Sequence, residues 1–266
     1  MAYNGCYSGV ESKVDVLKYV SGSVDCVILD VESNMPDQLE SSAVIENLII
    51  DGKGVTGTVG VLLENVYNCL VRNVTIVNCD VGIRVRVTDG FWSHGNRFEH
   101  IRMKNVKTGI VFEGTSGFRD FSYTTIDDVR ISLDARKGGV GIQVGGGVGT
   151  PANLHCAFIK ATVWLGDPFF NDDPKPVGPV DDASLQKGLA VVAGELRYSL
   201  VNLEVEQIPV TFFGYGVWLG GGATVLGNQD FMLTAMWLCQ ENHQLYVDSG
   251  AVYDGEDITV RYRDNA

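Results

Sequence analysis

With 266 residues, 32 of them glycine and 7 proline, the chain is rich in Val, Ile and Thr and reads as short strands joined by tight turns rather than as helices. Its formal net charge of -13 argues against nucleic acid or an anionic membrane surface as a partner. No stretch approaches the ~20 consecutive apolar residues of a membrane span, so no membrane insertion is expected, and the opening MAYNGCYSGVESK carries no secretory signal peptide. The six cysteines, at 6, 26, 69, 79, 156 and 239, form no CxxC pair and are expected to be small buried hydrophobes.

In chain order the first element is VESKVDVLKYV, residues 10 to 20, with Val10, Val14 and Leu17 at helical spacing; it predicts a short capping helix within an N-terminal cap segment, 1-23. Residues 24-266 then repeat one short pattern: apolar, any, bend residue, apolar, any, apolar. Nine copies follow one another: VDCVIL (24 to 29), IENLII (45 to 50), VRNVTI (71 to 76), FEHIRM (98 to 103), IDDVRI (126 to 131), CAFIKA (156 to 161), LVNLEV (200 to 205), LTAMWL (233 to 238) and GEDITV (255 to 260). The bend position holds Asn47, Asn73, His100, Asp128, Asn202 or Asp257 in six of them, residue types that tolerate left-handed backbone or bond their own turn. A second series, Gly-apolar-any-apolar, alternates with the first: GVLL (60 to 63), GIRV (82 to 85), GIVF (109 to 112), GIQV (141 to 144), GLAV (188 to 191) and GVWL (216 to 219), with QLYV (244 to 247) as a last member lacking Gly.

Strands of this length cannot stand alone, so each must stack on its neighbours at roughly 4.8 Å, with alternate side chains facing a common core. The fold class expected is all-β: a single-stranded, right-handed parallel β-helix of about nine rungs, with Val74, Ile76, Ile101, Met103, Val129, Ile131, Leu203 and Val205 inside. An antiparallel sandwich would show hairpin signals and irregular spacing. Here the variation in step falls in loops, at 86 to 97, 113 to 125, 145 to 155 and 220 to 230, which are expected to line one long edge, and in a large insertion at 165-186. The stretches NLIIDGKG, GVLLENVYNCLVRNVTIVNCDVGIRV and NRFEHIRMKNVKTGIVFEG resemble the right-handed β-helices of the pectate-lyase-like superfamily, above all the central domains of viral tailspikes. That resemblance implies a rod-shaped surface or virion appendage, on a virion or another extracellular surface, that associates with itself as a homotrimer and binds host glycan or cell-surface polysaccharide.

Enzymes of that superfamily use Ca²⁺ held by carboxylates beside an arginine, or an aspartate cluster with Gly-His-Gly; this chain has neither Gly-His-Gly nor Arg-Ile-Lys. Hydrolysis of a glycan needs only two carboxylates about 5 to 10 Å apart beside a sugar groove. On the loop edge the candidates are Glu113 and Asp120 as a catalytic pair, with Trp92, His94, Arg97, Arg119 and Tyr123 as sugar-binding neighbours, against the blander expectation of solvated loop charges. Two outward rows are also expected, one of Thr75, Arg102, Arg130, Lys160, Glu204, Trp237 and Thr259, the other of Arg84, Val111, Gln143, Ala190, Trp218 and Tyr246. The second exposes enough apolar surface for an oligomer contact or, through Trp218 and Tyr246, a glycan groove. No cofactor is required, although Asp167, Asp172 and Asp173 in the long insertion offer oxygen ligands for Ca²⁺. Two functions are thus carried forward: a glycan-binding or structural rod, and a polysaccharide-degrading enzyme. An intracellular scaffold is the third.

Overall fold

The computed structural model describes residues 6–8, 15–18, 27–32, 43–88, 92–115, 119–134, 139–146, 150–165, 186–207, 214–228, 230–236, 244–254 and 258–263. They form a parallel β-helix. Each coil enters a first sheet, bends, and crosses to a second. The coils run through β1 (Cys6–Ser8), β2 (Asp15–Lys18) and β3 (Val27–Glu32); β4 (Val44–Glu46), β5 (Leu48–Asp51) and β6 (Val59–Glu64); β7 (Leu70–Arg72), β8 (Thr75–Val77) and β9 (Val81–Val87); and β10 (Arg97–Glu99), β11 (Arg102–Val106) and β12 (Thr108–Gly114). Higher up come β13 (Thr125–Leu133), β14 (Val140–Val144) and β15 (Ala152–His155); β16 (Phe158–Leu165) and β17 (Gln186–Arg197); β18 (Leu200–Gln207) and β19 (Gly214–Leu226); β20 (Asp230–Met236), β21 (Leu245–Val247) and β22 (Val252–Tyr253); and finally β23 (Ile258–Arg263). All paired strands are parallel, in a 13-stranded and a 10-stranded sheet. About six full turns, from Ala43 to Asn228, are described, fewer than the nine repeats in the sequence.

The expected core is where periodicity put it: Val74, Ile76, Ile101, Met103, Val129, Ile131, Leu203 and Val205 are all buried. Phe112 stacks edge-on between Phe98 at 6.3 Å and Phe121 at 5.6 Å, a column of rings spanning three faces of the coil. Cys69 and Cys79 are buried, and burial pushes the Cys69 thiol up to about 12, while Cys156 is exposed.

Three sequence expectations are corrected by strand register. The capping helix does not form over residues 15–18: these are β2, with Val16 opposite Ile49 and Leu17 opposite Ile50. Pairing with the next coil satisfies the backbone of both strands, and it outweighs a weak helical pattern. Residues 10 to 14, 19 and 20 lie outside the described residues. The copy VDCVIL is not a first-sheet rung, because its Val27 and Leu29 belong to β3 and face Val59 and Val61 in the second sheet. CAFIKA, LTAMWL and GEDITV are out of phase: Ile159, not Cys156, stacks on Ile126, followed by Ala161 on Val129 and Val163 on Ile131, while Leu233 stacks on Leu203 and Val260 on Leu233.

The second series has a steric origin. A Cβ on Gly82, Gly109, Gly141 or Gly188 would lie 2.5 to 2.7 Å from the carbonyl oxygen of the equivalent glycine one coil up. Only glycine lets the second sheet begin this close to its neighbour.

Candidate functional site

The segments read as loop insertions contain a third face. Residues Arg119 to Tyr123, β15, and the distal halves of β17 and β19 stack in register: Asp120 pairs with Asn153, Asn153 with Glu195, and Glu195 with Thr224. Phe121, Leu154, Leu196 and Val225 point inward and are buried. The face is short, so its alternation is too brief to register as a strand in the sequence.

Its outward side chains form a cluster of aromatics and histidine–carboxylate pairs. The His94 ring lies among three aromatics: stacked near Trp92 at 6.0 Å, tilted against Tyr67 at 5.4 Å and edge-on to Tyr123 at 6.2 Å. The Tyr67 hydroxyl is 3.3 Å from His94 Nδ1, and Asp120 Oδ2 is 3.2 Å from His94 Nε2. Asp120 also accepts from the Ser122 amide at 3.0 Å. Burial opposes ionisation of Asp120, but His94, Ser122 and the nearby charge of His155 together hold its carboxyl below the ordinary aspartate value. One coil further, His155 Nε2 meets Glu195 Oε2 at 3.0 Å, Arg197 approaches Glu195 Oε1 at 3.2 Å, and Tyr198 sits edge-on to His155 at 6.4 Å.

The corner that closes this face is held by left-handed residues in successive coils: Asn68, Gly95, Tyr123, Cys156, Tyr198 and Gly227. Asn and Gly adopt that conformation cheaply; tyrosine does not. Yet Tyr123 and Tyr198 hold φ of 60° and 53° and expose 63% and 57% of their surface. Inside the same corner, buried polar side chains cap the turn: Asn96 Oδ1 accepts from the Cys69 amide at 2.8 Å, and Asn228 Oδ1 from the Ser199 amide at 3.0 Å.

Of the residues expected at the site, Trp92, His94, Asp120 and Tyr123 come together. Glu113 does not face Asp120's partners: it lies 3.3 Å from Arg84 and 3.2 Å from Arg86, in an ion ladder that also includes Glu64. Arg97 pairs with Glu99 on its own strand, and the Arg119 stem packs near Gly114. Trp218 and Tyr246 do stack, with ring centroids 6.3 Å apart, and Lys187 lies over the Trp218 ring at 5.4 Å. The second outward row has the expected register, but its exposure was misjudged: Val111 and Ala190 are 4% and 0% exposed. In the first row Lys160 stands opposite Asp127, and it is Thr162 that follows Arg130. The sequence reading missed Tyr67, His155, Glu195, Arg197 and Tyr198 because no rung motif contains them. Asp167, Asp172 and Asp173 lie outside the described residues, and among the described residues no group of three or more His, Cys, Asp or Glu is placed to hold a metal ion.

No protein-family model, no curated protein and no solved structure gives a significant match to this chain.

Proposed function

We propose that the protein is the rod of a surface or virion appendage, tailspike-like in build, that binds glycan along its third face. The observation that carries this reading is the use of tyrosine at 123 and 198. Elsewhere along that corner the coils place Asn68, Gly95 and Gly227, with Cys156 between the two tyrosines, and a bulky residue in left-handed backbone costs on the order of 1–3 kcal/mol. Each ring touches its neighbours, Tyr123 edge-on to His94 and Tyr198 edge-on to His155 and over Gly227, yet both stay more than half exposed. What they add is a row, with Trp92, of exposed aromatic faces that suit the apolar faces of sugar rings, interleaved with carboxylates, imidazoles and Arg197 that bond hydroxyls.

Binding is preferred over hydrolysis for a physical reason. Asp120 and Glu195 share one outward column two strand spacings apart, about 10 Å, near the upper end of the separation used by inverting glycosidases. One of the pair must then carry a proton to the leaving group, yet His94 and Ser122 hold Asp120 as the carboxylate, and Glu195 is bound between His155 and Arg197. Self-association would use what stays exposed at the second row, Tyr246 and Val247.

The test is a glycan array followed by titration calorimetry of the retained oligosaccharide. The double variant Tyr123→Gly/Tyr198→Gly is expected to bind at least about tenfold more weakly. Its unfolding free energy should stay within about 1 kcal/mol of the wild type, because relief of the left-handed strain offsets the added freedom of glycine in the unfolded chain. An array that retains no glycan, or unchanged affinity in the variant, would overturn the reading.

A further inference from the structure

The first sheet, which follows the third face in each coil, carries a second feature. Its outer surface holds two adjoining depressions that share Arg130. One, of about 320 Å³, is lined by Arg102, Lys104, Arg130 and Trp164; the other, of about 260 Å³, by Asp128, Arg130, Lys160 and Glu204. Strand register explains the continuity. Thr75, Arg102, Arg130, Thr162 and Glu204 form one outward column, and Val77, Lys104, Ser132, Trp164 and Glu206 the next.

On a chain whose net charge is -13, three cations, Arg102, Lys104 and Arg130, thus line the first depression with no carboxylate in its wall, whereas in the second Lys160 pairs with Asp127 at 3.6 Å and stands with Asp128 and Glu204. Asp128 does not cancel this excess, because it is shared: Arg102 donates to its Oδ2 at 2.9 Å and to its carbonyl at 2.8 Å, His100 is 3.1 Å away, and Arg130 Nε is 3.4 Å from Oδ1. These contacts pin Arg102. Arg130, with about half its side chain exposed, has Asp128 as its sole ion-pair partner among the described residues. The wall opposite is just as fixed, since Trp164 Nε1 donates to Glu206 Oε2 of the next coil at 2.7 Å. A pre-positioned guanidinium pair beside an immobilised indole suits a ligand that couples an oxyanion to an apolar ring face.

We propose that this groove is a second carbohydrate site, specific for acidic saccharides. A carboxylate or sulfate group is taken by Arg130 with Arg102 and Lys104, and a neighbouring sugar ring lies against Trp164. Nucleic acid is the poorer occupant, because the acidic surface beyond the groove repels a long polyanion. The site does not depend on the third-face reading, and either can fail alone.

The experiment is calorimetry on the full chain with four probes of matched length: hyaluronan oligosaccharide, which carries carboxylates; chondroitin sulfate oligosaccharide, which adds sulfate; neutral malto-oligosaccharide; and poly-glutamate. Binding of at least one acidic saccharide is expected, weakening as salt rises, with no binding of the neutral chain and at least tenfold weaker binding of the peptide. The ratio of the two acidic affinities tells carboxylate from sulfate recognition. Arg130→Glu should reduce the affinity at least tenfold, whereas Tyr123→Gly/Tyr198→Gly should leave it unchanged. Arg130→Gln serves as the milder variant if the reversal fails to fold. No binding of either acidic saccharide, equal binding of poly-glutamate, or indifference to both Arg130 variants would overturn the proposal.

Discussion

The lower and upper coils treat the same corner differently. From β4 to β13 the first sheet is broken by a left-handed residue, Asn47, Asn73, His100 or Asp128, with φ between 50° and 57°. From β16 to β20 the corner is gone. Asp128 has no partner on β16, the register steps over it, and β16, β18 and β20 run straight with apolar residues alternating inward. The bend depends on side chains that link one corner to the next: Asn73 Nδ2 donates to Asn47 Oδ1 at 3.3 Å, and His100 meets Asp128 at 3.1 Å. Asn202 has the right residue type for a bend but lies opposite Lys160 in a straight strand. A corner residue bends the sheet only where the coil below bends with it.

Three experiments bear on that contrast, from the largest effect to the smallest. The glycine ladder runs through both regions and should tolerate nothing. Gly141→Ala would set a methyl group 2.5 Å from the Gly188 carbonyl oxygen and 2.6 Å from Val163, and backbone cannot step aside, so a loss of about 3 kcal/mol is expected in denaturant unfolding. Gly221→Ala, whose nearest neighbour is 3.7 Å away, is the matched control and should be near neutral. If both behave alike, close coil approach is not why the second series is Gly-led.

Next, the corner itself. Asn73→Ala forces a Cβ-bearing residue without a turn-bonding side chain to stay left-handed and should cost about 1–2 kcal/mol. Asn202→Ala, on the exposed side of a straight strand, should change stability by less than about 0.5 kcal/mol. Equal costs would mean that the two regions do not differ as described.

The smallest effect is electrostatic and sits at the boundary. Burial alone would raise Asp128, but Arg102, His100 and Arg130 hold its carboxyl down to about 2, from an ordinary 3.8. A folded value below the unfolded one means the contribution is present above about pH 4 and is lost as the pH falls from there towards 2. Thermal melts should show Asp128→Asn less stable than the wild type at neutral pH, with the gap closing as the pH falls from about 4 towards 2, so that the variant has the shallower acid slope. An unchanged slope would remove Asp128 as the anchor of the last corner.

The amino-acid sequence by itself determined the coil. Period-two alternation at Val74 and Ile76 or Leu203 and Val205, bend residues such as Asn47 and Asn73, and a glycine near the start of six second-sheet strands, Gly60 to Gly216, are local signals that repeat, so they survive without any knowledge of neighbours. Tertiary structure alone decided what spans coils. Asp120 stands beside His94, and His155 beside Glu195, only because stacking brings residues 26 and 40 positions apart to adjacent strands. Ile159 rather than Cys156 faces the core because register, once one corner residue is bulged out, is set by the coil beneath. Tyr123 and Tyr198 carry no sequence signal for left-handed backbone at all; they hold it because the corners above and below already turn there, and that imposed geometry is what presents their rings to solvent.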